Sequence, residues 1–178
     1  MMPTFFWAKK YLEQKKYKEA LEQFLASVET TETTKPGKYS GDPRSSQINY
    51  FIGLGYEALG NKAKAKTYYQ LSTDQELKDV NFVKYYQGLS YLKQGNKAKA
   101  EACFNRLVEE GDKRIKQGTE VDFFAKFGEK ESVNIQLSNA YLLKGMGNKG
   151  LGDHAKATES LQKAVDLSVS NLWAKVEL

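Results

Sequence analysis

One cysteine, one histidine and three prolines stand among 178 residues. A single cysteine excludes an internal disulfide and a single histidine excludes a multi-histidine metal site, so carboxylates are the only plentiful metal-type ligands. Most metalloenzyme and Cys-His chemistries are excluded on the same grounds, and no cofactor is implied. So few prolines suit helices better than a many-stranded sandwich, whose turns and edges use that residue. No long uncharged apolar run is present and mean hydropathy is −0.62, which argues against a membrane span and for a soluble protein. No basic segment followed by a cleavable apolar one opens the chain either, since Met1-Met2-Pro3 leads straight into Phe5-Phe6-Trp7-Ala8-Lys9-Lys10. The missing export signal favours a cytoplasmic location, while an abrupt start inside a periodic pattern is also what a fragment of a larger protein would show. What is present suffices for a core: 40% of residues are apolar and 12% aromatic, and 27 Lys and Arg against 22 Asp and Glu leave a net charge of +5. That is one domain's worth of chain with a modest basic excess.

One pattern recurs along the chain. The segment Tyr50-Phe51-Ile52-Gly53-Leu54-Gly55-Tyr56-Glu57-Ala58-Leu59-Gly60-Asn61-Lys62-Ala63-Lys64-Ala65 returns 35 residues later as Tyr85-Tyr86-Gln87-Gly88-Leu89-Ser90-Tyr91-Leu92-Lys93-Gln94-Gly95-Asn96-Lys97-Ala98-Lys99-Ala100. A later copy runs from Leu142 to Ala157, and a diverged first copy runs from Phe5 through Tyr11 and Tyr17 to Ala20. Apolar and small residues fall at helical spacing on both sides of a Gly-Asn or Gly-Asp step, so each copy predicts two amphipathic helices joined by a tight turn. Gly60, Gly95 and Gly152 can take the left-handed conformation that closes a helix, and Asn61, Asn96 and Asp153 can accept the free amides of the next. Lys15-Lys16 replaces that step in the first copy, whose turn is expected to be the least well defined.

Gly inside a helix costs roughly 0.5–1 kcal/mol relative to Ala, yet Gly53, Gly88 and Gly145 recur at one place in the first helix, with Ala8 in the same slot. A side chain must be forbidden there. With Ala20, Ala65, Ala100 and Ala157 on the second helices, these residues predict a close backbone approach around which Tyr56, Tyr91, Tyr69 and Phe104 pack.

A small residue and a Tyr on the first helix, with an Ala and an aromatic on the second, resemble the tetratricopeptide repeat. The second and third copies match specifically and the others in part, with Asn148 standing where the last copy would want Tyr. The resemblance implies an all-α, right-handed α-solenoid of about four helical hairpins, with repeats over residues 3–30, 47–74, 82–110 and 138–168. A loop is expected over 31–46, within the Thr, Gly, Pro and Ser-rich stretch from Thr30 to Gln47, and an insertion over 111–131. In that insertion the helix of the third copy is expected to run on through Lys116, with Val121-Asp122-Phe123-Phe124-Ala125-Lys126-Phe127 packing beneath the array and a new helix beginning near Glu129. A final helix over 171–178 closes the chain. Val121 to Ala125, with the Gly-rich stretch from Lys144 to Asp153, also resembles the carboxyl-terminal repeat region of large bacterial proteins that carry a carbohydrate-related β-rich domain.

Catalytic constellations are absent. His154 opens a second helix in a slot held elsewhere by Tyr17 and lysines, and reads as surface. Cys103 precedes Phe104 with no histidine near in sequence, and reads as core. Glu109, Glu110 and Asp112 lie beside Lys113-Arg114 at a helix end, which reads as a solvated face. Gly145, Gly147, Gly150 and Gly152 follow helical periodicity without the Gly-Lys-Ser/Thr ending of a phosphate loop. No group here supplies a nucleophile, a base and an orienting partner together, so the chain is not read as an enzyme. Lys62, Lys64 and Lys66, with Lys97 and Lys99, could form a stripe for nucleic acid on the convex face, but with +5 overall and no Arg-rich tract a solvated surface is favoured.

Binding remains. In tetratricopeptide arrays the first helices line a concave groove, and one well-known version clamps a carboxyl-terminal carboxylate with Lys, Asn and Arg. The matching places here hold Phe5 and Lys9, Tyr50 and Leu54, Tyr85 and Leu89, then Leu142 and Met146, which departs from that clamp. The aromatic ladder of Phe5, Tyr50 and Tyr85 suits an apolar or extended peptide, a packed neighbouring domain or a sugar ring, and is weighed against plain inter-repeat packing. The resemblance thus implies a non-catalytic protein-interaction scaffold. Its expected partner is a protein or peptide, with another domain of the same polypeptide and a homodimer contact both considered. The alternatives are an accessory module of a larger carbohydrate-active bacterial enzyme and nucleic-acid binding.

Overall fold

The computed structural model describes residues 2–33, 44–75, 77, 79–122 and 127–178, and side chains for 8–26, 44–75, 77, 79–118 and 133–178. Among the described residues there are nine helices and no strand: α1 (Met2–Glu13), α2 (Tyr17–Thr33), α3 (Ser45–Ala58), α4 (Lys62–Asp74), α5 (Val83–Lys93), α6 (Lys97–Asp122), α7 (Phe127–Leu151), α8 (His154–Leu167) and α9 (Leu172–Glu177). The protein is an all-α helical repeat. It divides into two compact units, one of Met1–Lys78 with Leu89–Lys97, the other of Asp79–Gly88 with Ala98–Leu178, so that α5 contributes to both.

Each hairpin turn closes in the same way. Gly60, Gly95 and Gly152 have φ of 79°, 77° and 84°. Around them the amide of the glycine reaches back three residues and the next amide five: Gly60 N to Glu57 O and Asn61 N to Tyr56 O, Gly95 N to Leu92 O and Asn96 N to Tyr91 O, Gly152 N to Lys149 O and Asp153 N to Asn148 O. This pair of bonds satisfies two of the carbonyls a helix end leaves open. The first copy makes the same pair, Lys15 N to Leu12 O and Lys16 N to Tyr11 O, with Lys15 itself at φ 59°. Its turn is therefore as regular as the others, contrary to expectation, and a lysine is held in the conformation for which the other copies use glycine. Asn61 and Asp153 then cap the helices that follow, accepting from Lys64 N at 3.1 Å and Lys156 N at 3.2 Å.

In the first unit Phe24 stacks on Phe51 at 5.3 Å within a core that includes Ala8, Ala20, Ile48 and Ile52. A buried chain of hydroxyls joins three helices, from Ser90 Oγ to Ser72 Oγ and from Ser72 Oγ to the Ser46 carbonyl, each at 2.8 Å. The side chain of Gln47, wholly buried, has no hydrogen-bond partner for either amide atom among the described residues.

Phe104 centres the second unit, flanked by Tyr85 at 5.7 Å and packed with Leu107 and Met146 in the fully buried core. A Cβ at Gly88 would lie 2.3 Å from its ring, and one at Gly150 also 2.3 Å. The small slot of the first helix therefore makes room for the large residue four positions after the alanine. Gly53 accommodates Tyr69 and Gly145 accommodates Leu161 in the same manner, with 2.5 and 2.7 Å to a hypothetical Cβ. The alanines are buried but are not what the glycines face. α9 is pinned by Glu177, whose buried carboxylate accepts from Tyr86 at 3.2 Å and Lys149 at 3.0 Å.

The helices reach further into the connecting segments than the sequence suggested. α2 extends through Thr33 and α3 begins at Ser45, with Ser46 and Gln47 buried, so the expected loop is shorter at both ends. The insertion is mostly helix: α6 continues to Asp122 rather than ending near Lys116, and α7 starts at Phe127. Packing by Phe123 and Phe124 lies outside the described residues. Gly111 and Gly118 explain how these long helices can sit together, since a Cβ at Gly111 would lie 2.9 Å from the α7 backbone at Ala140 O and one at Gly118 would lie 2.7 Å from Leu137.

Candidate functional site

The residues expected to line the groove fall into different environments. In the first unit Lys9, Tyr50, Leu54 and Leu89 are half-buried, each retaining some exposed surface. The Tyr50 ring lies edge-on to Phe51 at 5.4 Å and tilted against Tyr69 at 6.1 Å, so it is anchored from beneath. The side chain of Phe5 lies outside the described residues. In the second unit Tyr85 and Leu142 are buried and Met146 is fully so. Tyr85 packs against Tyr86 and Phe104, which gives it a core role.

A second arrangement, not evident from the groove positions, lies within the first unit. Glu57 at the end of α3, Lys62, Ala65, Lys66 and Tyr69 on α4, and Lys93 and Gln94 at the end of α5 line a cavity of about 390 Å3. The helical period places Lys62 and Lys66 on one face, one turn apart. Lys64, two residues on, turns elsewhere and lies 5.0 Å over the Tyr56 ring, which stacks on Tyr68. All five lysines weighed as a stripe, Lys62, Lys64, Lys66, Lys97 and Lys99, are exposed.

Charge in this cavity is unequal. Glu57 Oε2 accepts from Tyr69 Oη at 2.5 Å and pairs with Lys93 Nζ at 2.8 Å. Desolvation pushes the Glu57 carboxyl up, but hydrogen bonds from Lys93 and Tyr69 and the charges of Lys93 and Lys62 outweigh it, leaving the pKa below the ordinary glutamate value. Burial, then the bond to Glu57, pushes the Tyr69 hydroxyl well above its usual range, so it stays a donor. Gln94 commits its amide nitrogen to Tyr69 O at 3.1 Å and Thr73 Oγ1 at 3.3 Å. Three ammonium groups therefore line a cavity with one carboxylate.

The sequence held a signal for this site. Positions that build the hairpin repeat their residue type, whereas 35 residues after Glu57 and Lys66 stand Leu92 and Glu101, and 35 before Lys93 and Gln94 stand Ala58 and Leu59. Four of the residues that line the cavity are thus ones the repeat does not require, while Lys62, Ala65 and Tyr69 have Lys97, Ala100 and Phe104 as counterparts.

The other candidates fall where packing puts them. His154 is exposed at the start of α8. Cys103 is buried, and desolvation raises its thiol pKa despite the charge of Lys84. Glu110 pairs with Arg114 at 2.8 Å and with Lys113 at 3.8 Å, Glu109 with Arg106 at 3.6 Å, and Asp112 with Lys144 at 2.7 Å. Gly145, Gly147 and Gly150 are contact points of α7 with Leu161, with the Phe104–Val108 stretch of α6 and with the Phe104 ring. Among the described residues no group of His, Cys, Asp and Glu could hold a metal ion, and no helix is long and apolar enough to cross a membrane.

Residues 46–78 and 138–168 match a sequence model of the tetratricopeptide repeat, and residues 83–110 match a second model of the same description, together just over half of the chain. No curated protein matches. A solved structure described as "Crystal structure of YrrB: a TPR protein with an unusual peptide-binding site" is similar at 17% identity, covering 98% of this chain and 89% of that chain with a TM-score of 0.37. A likeness that distant adds nothing to what the matched repeats establish. The matches concern the repeat alone, and none points to the carboxyl-terminal region of carbohydrate-domain proteins.

Proposed function

From the premise that the chain belongs to the tetratricopeptide repeat family, we propose that it is a protein-interaction scaffold that takes an extended peptide segment of a partner protein along the first helices of its hairpins. The observation that carries this reading is the set of three matched repeats. Support for where the peptide lies comes from the half-buried Lys9, Tyr50, Leu54 and Leu89, which combine firm seating with exposed surface. Tyr50 has the character of a contact anchor: a large ring fixed against Phe51 and Tyr69 presents apolar area with little left to order on binding.

Selection of peptides displayed on phage against the immobilised chain tests the reading. Enriched peptides should bind the parent and lose about tenfold or more in affinity to Tyr50→Ala, the scale of a truncated aromatic anchor, at a temperature where the variant keeps the parent's helical circular dichroism. Failure to enrich any peptide, or peptides indifferent to both Tyr50→Ala and Leu89→Ala, would refute it.

A further inference from the structure

We infer that the cavity at the ends of α3 and α5 and the start of α4 is a subsite for an acidic stretch of the partner, two neighbouring Asp or Glu side chains, outside the groove positions of the first helices. The inference rests on the peptide-binding reading and specifies the chemistry of what is bound. Lys62, Lys66 and Lys93 face a single carboxylate, Glu57, so the lining carries a surplus of two positive charges. Lys93 is already paired with Glu57. Lys62 acts on Glu57 only through its charge, and Lys62 and Lys66 are exposed on one face of α4.

The position of Glu57 selects the kind of anion. Bonded to Lys93 and within the field of Lys62, it sits among the cations, so a compact dianion such as phosphate drawn to their centre would meet a carboxylate that stays ionised. Two separate carboxylates need not converge on that centre: one takes Lys62 and Lys66, and the other shares Lys93 with Glu57. A cavity of about 390 Å3 is also far larger than one anionic group requires, and falls in the range of roughly 300–1,000 Å3 common to binding pockets. The methylene stems of the lysines, Ala65 and the Tyr69 ring supply apolar walls for the acidic side chains. With its nitrogen engaged by Tyr69 and Thr73, Gln94 has its amide oxygen left to accept a peptide N–H. None of Glu57, Lys66, Lys93 and Gln94 recurs at the equivalent place in the neighbouring copy, so the hairpin itself does not demand them.

The test is a nitrogen-15 NMR titration of the full chain with four probes: N-acetyl-Ala-Glu-Glu-Ala-amide, its Gln-Gln counterpart, N-acetyl-tetra-alanine with a free carboxyl terminus, and inorganic phosphate. The Glu-Glu probe should shift the amides of Lys62, Ala65, Lys66, Lys93 and Gln94, bind at least about tenfold more tightly than the Gln-Gln probe, and weaken as salt is raised. Lys62→Ala with Lys66→Ala should cost about tenfold or more in Glu-Glu affinity, and both lysines are exposed, so the variant keeps the parent's melting temperature. The inference is overturned if Glu-Glu and Gln-Gln bind alike, if the free terminus or phosphate binds more tightly than Glu-Glu, or if the lysine variant binds as the parent does. Phage-selected peptides that bind the parent while the Glu-Glu probe does not would reject this subsite and leave the scaffold reading standing; the absence of any selected peptide would reject the scaffold.

Discussion

Replacing Gly88 by alanine sets two effects of known size against each other. Within a helix the change is favourable by about 1 kcal/mol, because glycine loses more backbone freedom on folding. Against it stands the new methyl group, which would lie 2.3, 2.7 and 2.9 Å from three atoms of the Phe104 ring. The ring has little room to yield, because Gly150 is packed against the same Cδ1–Cε1 edge, where a Cβ would also lie 2.3 Å off, and Phe104 is 1% exposed. Overpacking of this kind costs typically about 1–3 kcal/mol, so Gly88→Ala should destabilise by about 1–2 kcal/mol and Gly88→Val by about 2 kcal/mol or more. Gly55 provides a control of opposite sign, since its added Cβ would meet Leu21 at an ordinary 3.4 Å. Gly55→Ala should therefore stabilise by about 0.5–1 kcal/mol. Urea unfolding followed by far-ultraviolet circular dichroism measures both. Combining Gly88→Ala with Phe104→Leu removes the ring atoms in conflict and should recover about 1 kcal/mol or more relative to the sum of the single changes. If Gly88→Ala stabilises as Gly55→Ala does, or the double variant shows no coupling, the account of the small slot is wrong.

Lys15→Gly should raise stability by about 1 kcal/mol, because a left-handed lysine carries strain that glycine lacks; thermal melting checks it, and a loss would mean that the lysine side chain contributes more than its backbone costs. Glu110 provides a pH test: the hydrogen bond from Arg114, opposed by desolvation and aided by the charges of Arg114, Lys113 and Arg106, holds its carboxyl below the usual 4.5. A lowered folded-state pKa gives stability that is present above the ordinary glutamate value and lost as pH falls through the folded one. The melting gap between the parent and Glu110→Gln should therefore be open at about pH 7 and close by about pH 3, and a gap constant across that span would refute the assignment.

Backbone pattern was the most legible part of the sequence. The glycine and Asn or Asp steps at 60–61, 95–96 and 152–153 identified turns because left-handed φ and capping oxygens are properties of those residue types, independent of the rest of the fold. Lys15 escaped this logic, since the pair of bonds around it can impose a conformation that the residue alone disfavours. The small slot was visible while its partner was not: periodicity shows that a Cβ is excluded, and only packing shows that Tyr69, Phe104 and Leu161, rather than the alanines, exclude it. The insertion was harder still, because the length of α6 and α7 depends on Gly111 and Gly118 meeting the opposite helix, a relation between distant residues. At the candidate sites, helical register ranked Tyr85, Leu142 and Met146 with Tyr50 and Leu54, although their burial differs. The cavity at Glu57, Lys62, Lys66 and Lys93 draws on three helices, so only departures from the repeat pointed towards it.

The central claim is that the groove positions of the first helices hold a partner's peptide, and the outward faces of α6 and α8 do not. Mapping amide shifts with a phage-selected peptide on the nitrogen-15-labelled full chain tests it most directly. The account predicts that the largest shifts fall at Lys9, Tyr50, Leu54 and Leu89, with the outward residues of α6 and α8, such as Glu101, Asn105, Thr158 and Gln162, nearly unmoved. Shifts concentrated on those outward residues, with Tyr50 and Leu54 silent, would contradict it.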